Sequence, residues 1–352
     1  MLNLGAISNF YIFTIIMKKL FLVFIAVFSF IVQASAQSSM LATLNHEGNI
    51  STFYGTTALR EAHAAAVHGD VITLSSGSFV STDITKAITL RGAGMELDTI
   101  HGTEPTVISG DFKIGIEDSI EQRLTIEGVY SNHTVKYINL KNAIFLKNRF
   151  LDFSSDNYDT SLLQNVTFIH CRIAKQLYLN ENCSASCLNC IIAEPYSRNN
   201  ISSNFEFQNC VLYFYPSSVH FSTYKNCVLY SYMPNYGNIT TSSMAYNCIG
   251  LNEDNLFDNI PNATNTYVED ISTVFKTYTG QNLEKLDSEN FELTDEAKTK
   301  YLGMDGTQVG IYGGSLPFTS VPTNPQITKC NVAAKSTADG KLSVDIEVKA
   351  AE

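Results

Sequence analysis

Between residues 86 and 250 the chain repeats one short pattern: two apolar positions with a polar one between them, then, two residues on, an Asn, a His or a Gly. The stretches QNCVL, KNCVL, YNCIG, LNCII and HCRI show it most plainly. Anchored on its last position, the pattern falls at Gly92, Gly110, Gly128, Asn148, His170, Asn189, Asn209, Asn226 and Asn247, at intervals of 17 to 22 residues. Two and four residues before each anchor stand pairs such as Leu124 and Ile126, Ile144 and Leu146, Val166 and Phe168, or Phe205 and Phe207. Fifteen of these 18 positions are apolar, where a composition 45% hydrophobic gives about eight, so the phase is a property of the sequence. The intervening position is mostly polar, as at Thr89, Thr125, Thr167, Ser186, Glu206 and Thr223. Strand side chains alternate between two faces, so each unit reads as a strand with one face in and one face out.

A unit near twenty residues with such a strand and a fixed corner is one coil of a solenoid, and no coil buries its inner face without its neighbours. The corner needs φ > 0, which Gly, Asn and His tolerate better than most residues. Coils stack about 4.8 Å apart, close enough for corner amides to form a hydrogen-bonded asparagine ladder. The pattern therefore predicts an all-β fold: a right-handed, single-stranded parallel β-helix over residues 37–316. TTALREAHAAAVHGD, residues 56–70, places Leu59, Ala62, Ala66 and Val67 at helical spacing behind Thr57 as N-cap, which predicts a helix across the first coil. Residues 291–314 are expected to close the far end. Pro317, Pro322 and Pro325 mark residues 317–326 as a linker. Beyond it, Leu342, Val344, Ile346 and Val348 alternate with polar residues, and Asp339–Gly340 turns this half-buried strand back on 327–332, giving a C-terminal hairpin over residues 327–352.

The ends and the charge change the picture next. Lys18 and Lys19 precede an apolar run, Leu20 to Val32, and then Ala34, Ser35 and Ala36, which together read as an export leader over residues 1–36, with the true start at Met17 and Gln37 as the mature N-terminus. Thirteen apolar residues are short for a membrane span, so no stable insertion is expected once the leader is removed. Removing Lys18 and Lys19 leaves 21 basic against 34 acidic residues, a net charge of −13. That balance argues against nucleic acid and disfavours a strongly anionic polysaccharide.

The pieces ALREAHAAAVHGDVITLSSGSF and AITLRGAG, the repeated N-C-[IV] corners and the closing GMDGTQVGIYGG resemble exported bacterial proteins with the pectate-lyase-like parallel β-helix, over roughly residues 56–316. The resemblance implies the fold and leaves the function open, because that fold hosts lyases, hydrolases, tailspikes, adhesins and members with no known activity.

Candidate chemistry is sparse. Cys183, Cys187 and Cys190 make a C-x3-C-x2-C spacing, but Cys187 occupies an inward strand position. Cys190 follows its corner in register with Cys171, Cys210, Cys227 and Cys248, so a file of buried thiols accounts for five of the eight cysteines. The resemblance to lyases implies a basic residue to take the proton beside a uronate and acids to hold calcium. The candidates are Arg149, Arg172 and Lys175 for the base, and Asp152, Asp156 and Asp159 for the calcium. The polygalacturonase carboxylate pattern is absent from the sequence. An aromatic strip of Tyr178, Tyr196, Tyr213, Tyr215, Tyr230, Tyr232 and Tyr236 is a candidate platform for sugar rings. The leading expectation is a non-catalytic exported β-helix that binds glycan or serves as a structural or adhesive rod at the cell surface. A calcium-dependent polysaccharide lyase is the alternative.

Overall fold

The computed structural model describes residues 40–349 except 100–101, 158–159, 198–202, 215–221, 232–242, 252–255, 259, 261, 278–288, 324, 333–334 and 338. The expected leader, residues 1–36, and the expected mature terminus at Gln37 lie outside the described residues. The chain winds a parallel β-solenoid of about eight turns, the architecture expected of the repeat. Its first sheet runs, coil by coil, through Val71–Leu74, Thr89–Arg91, Thr125–Glu127, Ile144–Leu146, Val166–Ile169, Ser184–Leu188, Asn204–Gln208, Thr223–Lys225, Met244–Tyr246 and Asn262–Thr264. The second sheet carries the strand that follows each corner, including Val129–Tyr137, Arg149–Ser155, Arg172–Leu179, Ile191–Ala193, Val211–Phe214 and Val228–Ser231.

Alternation sets the interior. Leu90, Ile126, Phe145, Phe168, Cys187, Phe207, Tyr224 and Ala245 stand directly above one another in the first sheet and are all buried. Their aromatic members stack, Phe145 on Phe168 at 4.9 Å and Phe207 on Tyr224 at 5.4 Å. Each fully buried aromatic of this kind contributes about 1.5 to 3 kcal/mol by removal from water.

The corner file differs from expectation in two coils. Positive φ occurs at Gly128, Lys147, His170, Asn189, Asn209, Asn226, Asn247 and also Asn265. Asn148 is not the corner residue: it follows the corner, as the ladder cysteines do, and turns inward. There Asn148 Oδ1 accepts from Val129 N at 3.0 Å and its Nδ2 donates to the Ile126 carbonyl at 2.8 Å. Consequently Phe145 faces the core in that coil, and Ile144 and Leu146 face outward. Gly110 follows a strand of the second sheet, Thr106–Ser109, so one long coil of 36 residues separates Gly92 from Gly128. Gly92, expected at positive φ, does not adopt it; it is required for space instead, since a Cβ there would meet the Gly128 carbonyl oxygen at 2.3 Å.

The cysteine file stands as expected. Cys171, Cys190, Cys210, Cys227 and Cys248 are buried free thiols. Each of the first three takes the next sulfur as acceptor for its backbone N–H, at 3.4 to 3.5 Å. Burial raises the thiols of Cys190, Cys210, Cys227 and Cys248 well above their ordinary range, which keeps them unreactive. Cys183 is buried too, accepting from Leu163 N at 3.2 Å, and the side chain of Cys330 lies outside the described residues.

At the N-terminal end a hairpin that the repeat does not announce, Leu41–His46 with Asn49–Tyr54, adds two antiparallel strands to the first sheet. Helix α1, Ala58–Ala65, packs beside it. Thr57 sits at its N-cap position but does not cap the backbone; its hydroxyl donates to Glu61 at 2.8 Å. Lys86 closes the other end by donating to the carbonyls of His63, Ala64 and Ala66. Because α1 stops there, Val67 is exposed.

The C-terminal third behaves differently from expectation. Leu256, Phe257 and Ile260 join the interior core at the far end of the coils. Residues 291–314 do not cover that end. After helices α2, Ile271–Val274, and α3, Asp295–Lys300, the chain runs back along the outside of the corner file as a strap. Asn247 Nδ2 donates to the Leu302 carbonyl at 2.8 Å, and Asn226 Oδ1 accepts from Met304 N at 3.1 Å. Asn189 Nδ2 donates to both Ile311 and Gly313 at 2.8 Å, and His170 Nε2 donates to Leu316 at 2.9 Å. Lys147 Nζ reaches Val321 O at 2.7 Å and Glu127 accepts from Thr323 N at 3.3 Å. The corner asparagines thus stack as a ladder, and the amides of Asn189, Asn226 and Asn247 are spent on the strap, while Asn209 Oδ1 is buried without a hydrogen-bond partner among the described residues. Prolines 317 and 322 do not release the chain, since Pro322 packs over Gly94 and Phe318 is buried.

Under the strap lies a second core. Ile191, Val211, Val228 and Ile249, on the outer face of the second sheet, are buried against Ile271, Phe275, Phe291, Leu293, Val309 and Ile311. The unbroken apolar dipeptides after each corner, Val211–Leu212 and Val228–Leu229, are the sequence of strands covered on both faces. The C-terminal hairpin, Gln326–Val332 with Val344–Lys349, forms as expected. Its second strand is exposed along its whole length, so the alternation there buries neither face in this chain.

Candidate functional site

The proposed site residues divide between three places. Arg149 and Arg172 are register neighbours near the covered corner. Arg172 is buried: its Nε pairs with Glu96 at 2.7 Å, Nη1 donates to the Glu289 carbonyl at 3.0 Å, and the guanidinium lies 5.1 Å from the Phe318 ring centre. It clamps the strap to the coil and is not available as a base. Arg149 lies over the Tyr130 ring at 4.7 Å.

Past an irregularity in these strands, the outer face carries Thr134, Asp152 and Gln176 in one row. Asp156 pairs with Lys113 at 2.9 Å and more distantly with Lys136 at 3.9 Å, and the same contact holds the Lys113 ammonium above its ordinary value. Asp152 Oδ1 is buried without a hydrogen-bond partner. Burial raises the Asp152 carboxyl, against the pull of the nearby Lys175 ammonium. Asp159 lies outside the described residues, and among the described residues no group of three or more His, Cys, Asp or Glu is placed to hold a metal ion.

The four described tyrosines, Tyr178, Tyr196, Tyr213 and Tyr230, do not form an exposed strip. Tyr178 is 7% exposed and stacks under Tyr196 at 5.2 Å with the rings 13° from parallel. Tyr213 belongs to the second core and Tyr230 leans on it at 4.7 Å. Register alone explains this: Tyr213 follows the apolar corner dipeptide on a strand that the C-terminal region covers. Tyr215, Tyr232 and Tyr236 lie outside the described residues.

A further place, holding none of those residues, was legible in the sequence only as a mostly polar row. On the outer face of the first sheet, Thr125, Ile144, Thr167, Ser186 and Glu206 follow one another from coil to coil. Two residues earlier on each coil stand Arg123, Asn142, Asn165, Ser184 and Asn204. Between these rows run two adjoining concavities of about 380 and 180 Å³ that share Asn165. Asn142 and Asn165 are themselves a second corner file, at φ 54° and 51°. Here the amides bond to each other, Asn165 Nδ2 donating to Asn142 Oδ1 at 2.6 Å. Asn142 Nδ2 and Asn165 Oδ1 keep their remaining capacity, and the Arg123 guanidinium has no partner among the described residues. The two-residue spacing of polar positions signalled an outward row. What it did not signal was that the row borders a groove.

No helix among the described residues is long and apolar enough to cross a membrane. Comparison with known proteins adds no relative: no family model, no curated protein and no solved structure matches this chain.

Proposed function

We propose that the protein is an exported, non-catalytic β-helix that binds glycan at the cell surface, through the outer face of its first sheet. The supporting observation is the groove between the two rows, lined by amides, hydroxyls and a guanidinium whose hydrogen-bonding capacity is only partly spent within the chain, on the bonds of Asn165 to Asn142 and to Ser184. Sugars are recognised by such groups, fixed on a rigid scaffold so that little ordering entropy is lost on binding. The resemblance to pectate-lyase-like bacterial proteins and the leader fit the same reading. Applying residues 37–352, fluorescently labelled, to a glycan array tests it. Saturable binding to a restricted set of glycans is expected, and no binding to any glycan overturns the proposal.

One observation favours a second reading, a polysaccharide lyase. Asp152 presents a buried, unpartnered oxygen beside Lys175, a pair suited to hold a cation and take a proton. With Arg172 committed to Glu96, Lys175 is the base of that reading. Growth of ultraviolet absorbance from unsaturated products on uronate polysaccharides with calcium, lost in Lys175→Ala, would establish it in place of the first.

A further inference from the structure

We infer that the groove on the first sheet takes a neutral, extended glycan lying along the solenoid axis, about one sugar ring per coil; this rests on the glycan-binding reading above. Three observations carry it.

The first is spacing. Equivalent groove positions recur once per coil, and stacked strands lie roughly 4.8 Å apart. That is close to the length one ring adds to an extended sugar chain. An extended peptide advances roughly 3.3 Å per residue and falls out of step within two coils. The five coils from Arg123 to Asn204 span about 19 Å, the length of about four rings.

The second is charge. The middle of the groove, Asn142, Asn165, Thr167, Ser184 and Ser186, carries none. At one end Glu121 and Arg123 offset each other in sign, and at the other Glu206 is paired with Lys225 at 2.8 Å. A uniformly anionic chain would meet uncompensated amides in the centre and a carboxylate at each end, so its charges would be desolvated without partners. Neutral sugars bring hydroxyls, each a donor and an acceptor, which match Asn142 Nδ2, Asn165 Oδ1 and the Thr167 hydroxyl.

The third is the lining. No aromatic ring borders either concavity. Rings are therefore held by their hydroxyl edges, and affinity accumulates coil by coil. The structure thus assigns a ligand class unlike the acidic polymers that a lyase reading implies.

Titration calorimetry of residues 37–352 with cello-, manno- and xylo-oligosaccharides of increasing length, and with oligogalacturonides as the acidic control, tests this. Affinity for at least one neutral series should rise with length and level off near about four rings. The double variant Thr167→Ile, Ser186→Ile keeps residues suited to a strand, removes two central hydroxyls and fills the groove. It should bind about tenfold or more weakly with an unchanged melting temperature. Undiminished binding by the variant, preference for the acidic series, or affinity independent of length overturns this inference and leaves the glycan-binding reading standing. If neither oligosaccharide class binds and the glycan array is also blank, both fall.

Discussion

Two corner files of this solenoid use the same residue in the same backbone conformation and come to opposite ends. At Asn189, Asn226 and Asn247 the φ values are 49°, 56° and 52°, and at Asn142 and Asn165 they are 54° and 51°. The first file is covered: its amides bond to carbonyls and an N–H of the returning strap, and the second core lies beside it. The second is open: its amides bond to each other and face a groove. The need for positive φ selects Asn at both, so residue type reports the bend and not what the bend does. Long-range cover decides that.

The comparison can be broken most severely by removing the cover. A chain ending at Asp270 uncovers Ile191, Val211, Val228 and Ile249, each worth up to about 1.5 to 3 kcal/mol, a sum comparable with the whole stability of an ordinary domain. Loss of the cooperative melting transition in circular dichroism is the expected result. Next in size is the pair of arginines. Arg172→Ala removes the ion pair to Glu96 and the bond to Glu289, and should cost about 2 to 3 kcal/mol in urea unfolding. Arg123→Ala in the open groove should stay within about 0.5 kcal/mol while weakening any glycan bound there.

The smallest effect is that of pH. Burial lowers His170, on the covered file, and lowers His63, on the buried face of helix α1, from 6.5 to about 4. In both, the unfolded chain takes up the proton first. Stability should therefore be full above about pH 6.5 and fall as the pH drops towards 4, where the folded His63 also protonates. Urea midpoints at intervals between pH 7 and 4 check this, and His63→Gln should flatten part of the decline.

Much of the fold was legible because it is local and periodic. Alternation placed Phe168, Phe207 and Tyr224 inside, and the cysteine file followed from one fixed offset. The misreadings were of two kinds. Asn148 carries the residue type of a corner but occupies the inward position after it, and Lys147 makes the bend. A single-residue slip of this sort exchanges the faces of a strand, which is why Ile144 and Leu146 were placed inside. The strap was not legible at all, because its contacts join residues 55 or more positions apart, 122 for Asn189 with Ile311, and no local pattern encodes them. The hairpin Leu41–Tyr54 did have a signal, alternation on both sides of Gly48, but it lies before the repeat begins. For the site, sequence singled out ionisable and aromatic side chains. The structure commits Arg172 and Tyr213 to packing and leaves open the plain amides and hydroxyls around Asn165.

The matched substitutions Asn189→Gly and Asn165→Gly test the central contrast directly by urea unfolding. Glycine accepts positive φ at both positions, so backbone strain cancels and the difference isolates what each amide touches. The expected outcome is a loss at Asn189 about 2 kcal/mol greater than at Asn165, from the two strap carbonyls left without donors. Equal losses would contradict the distinction between a covered structural corner and an open one.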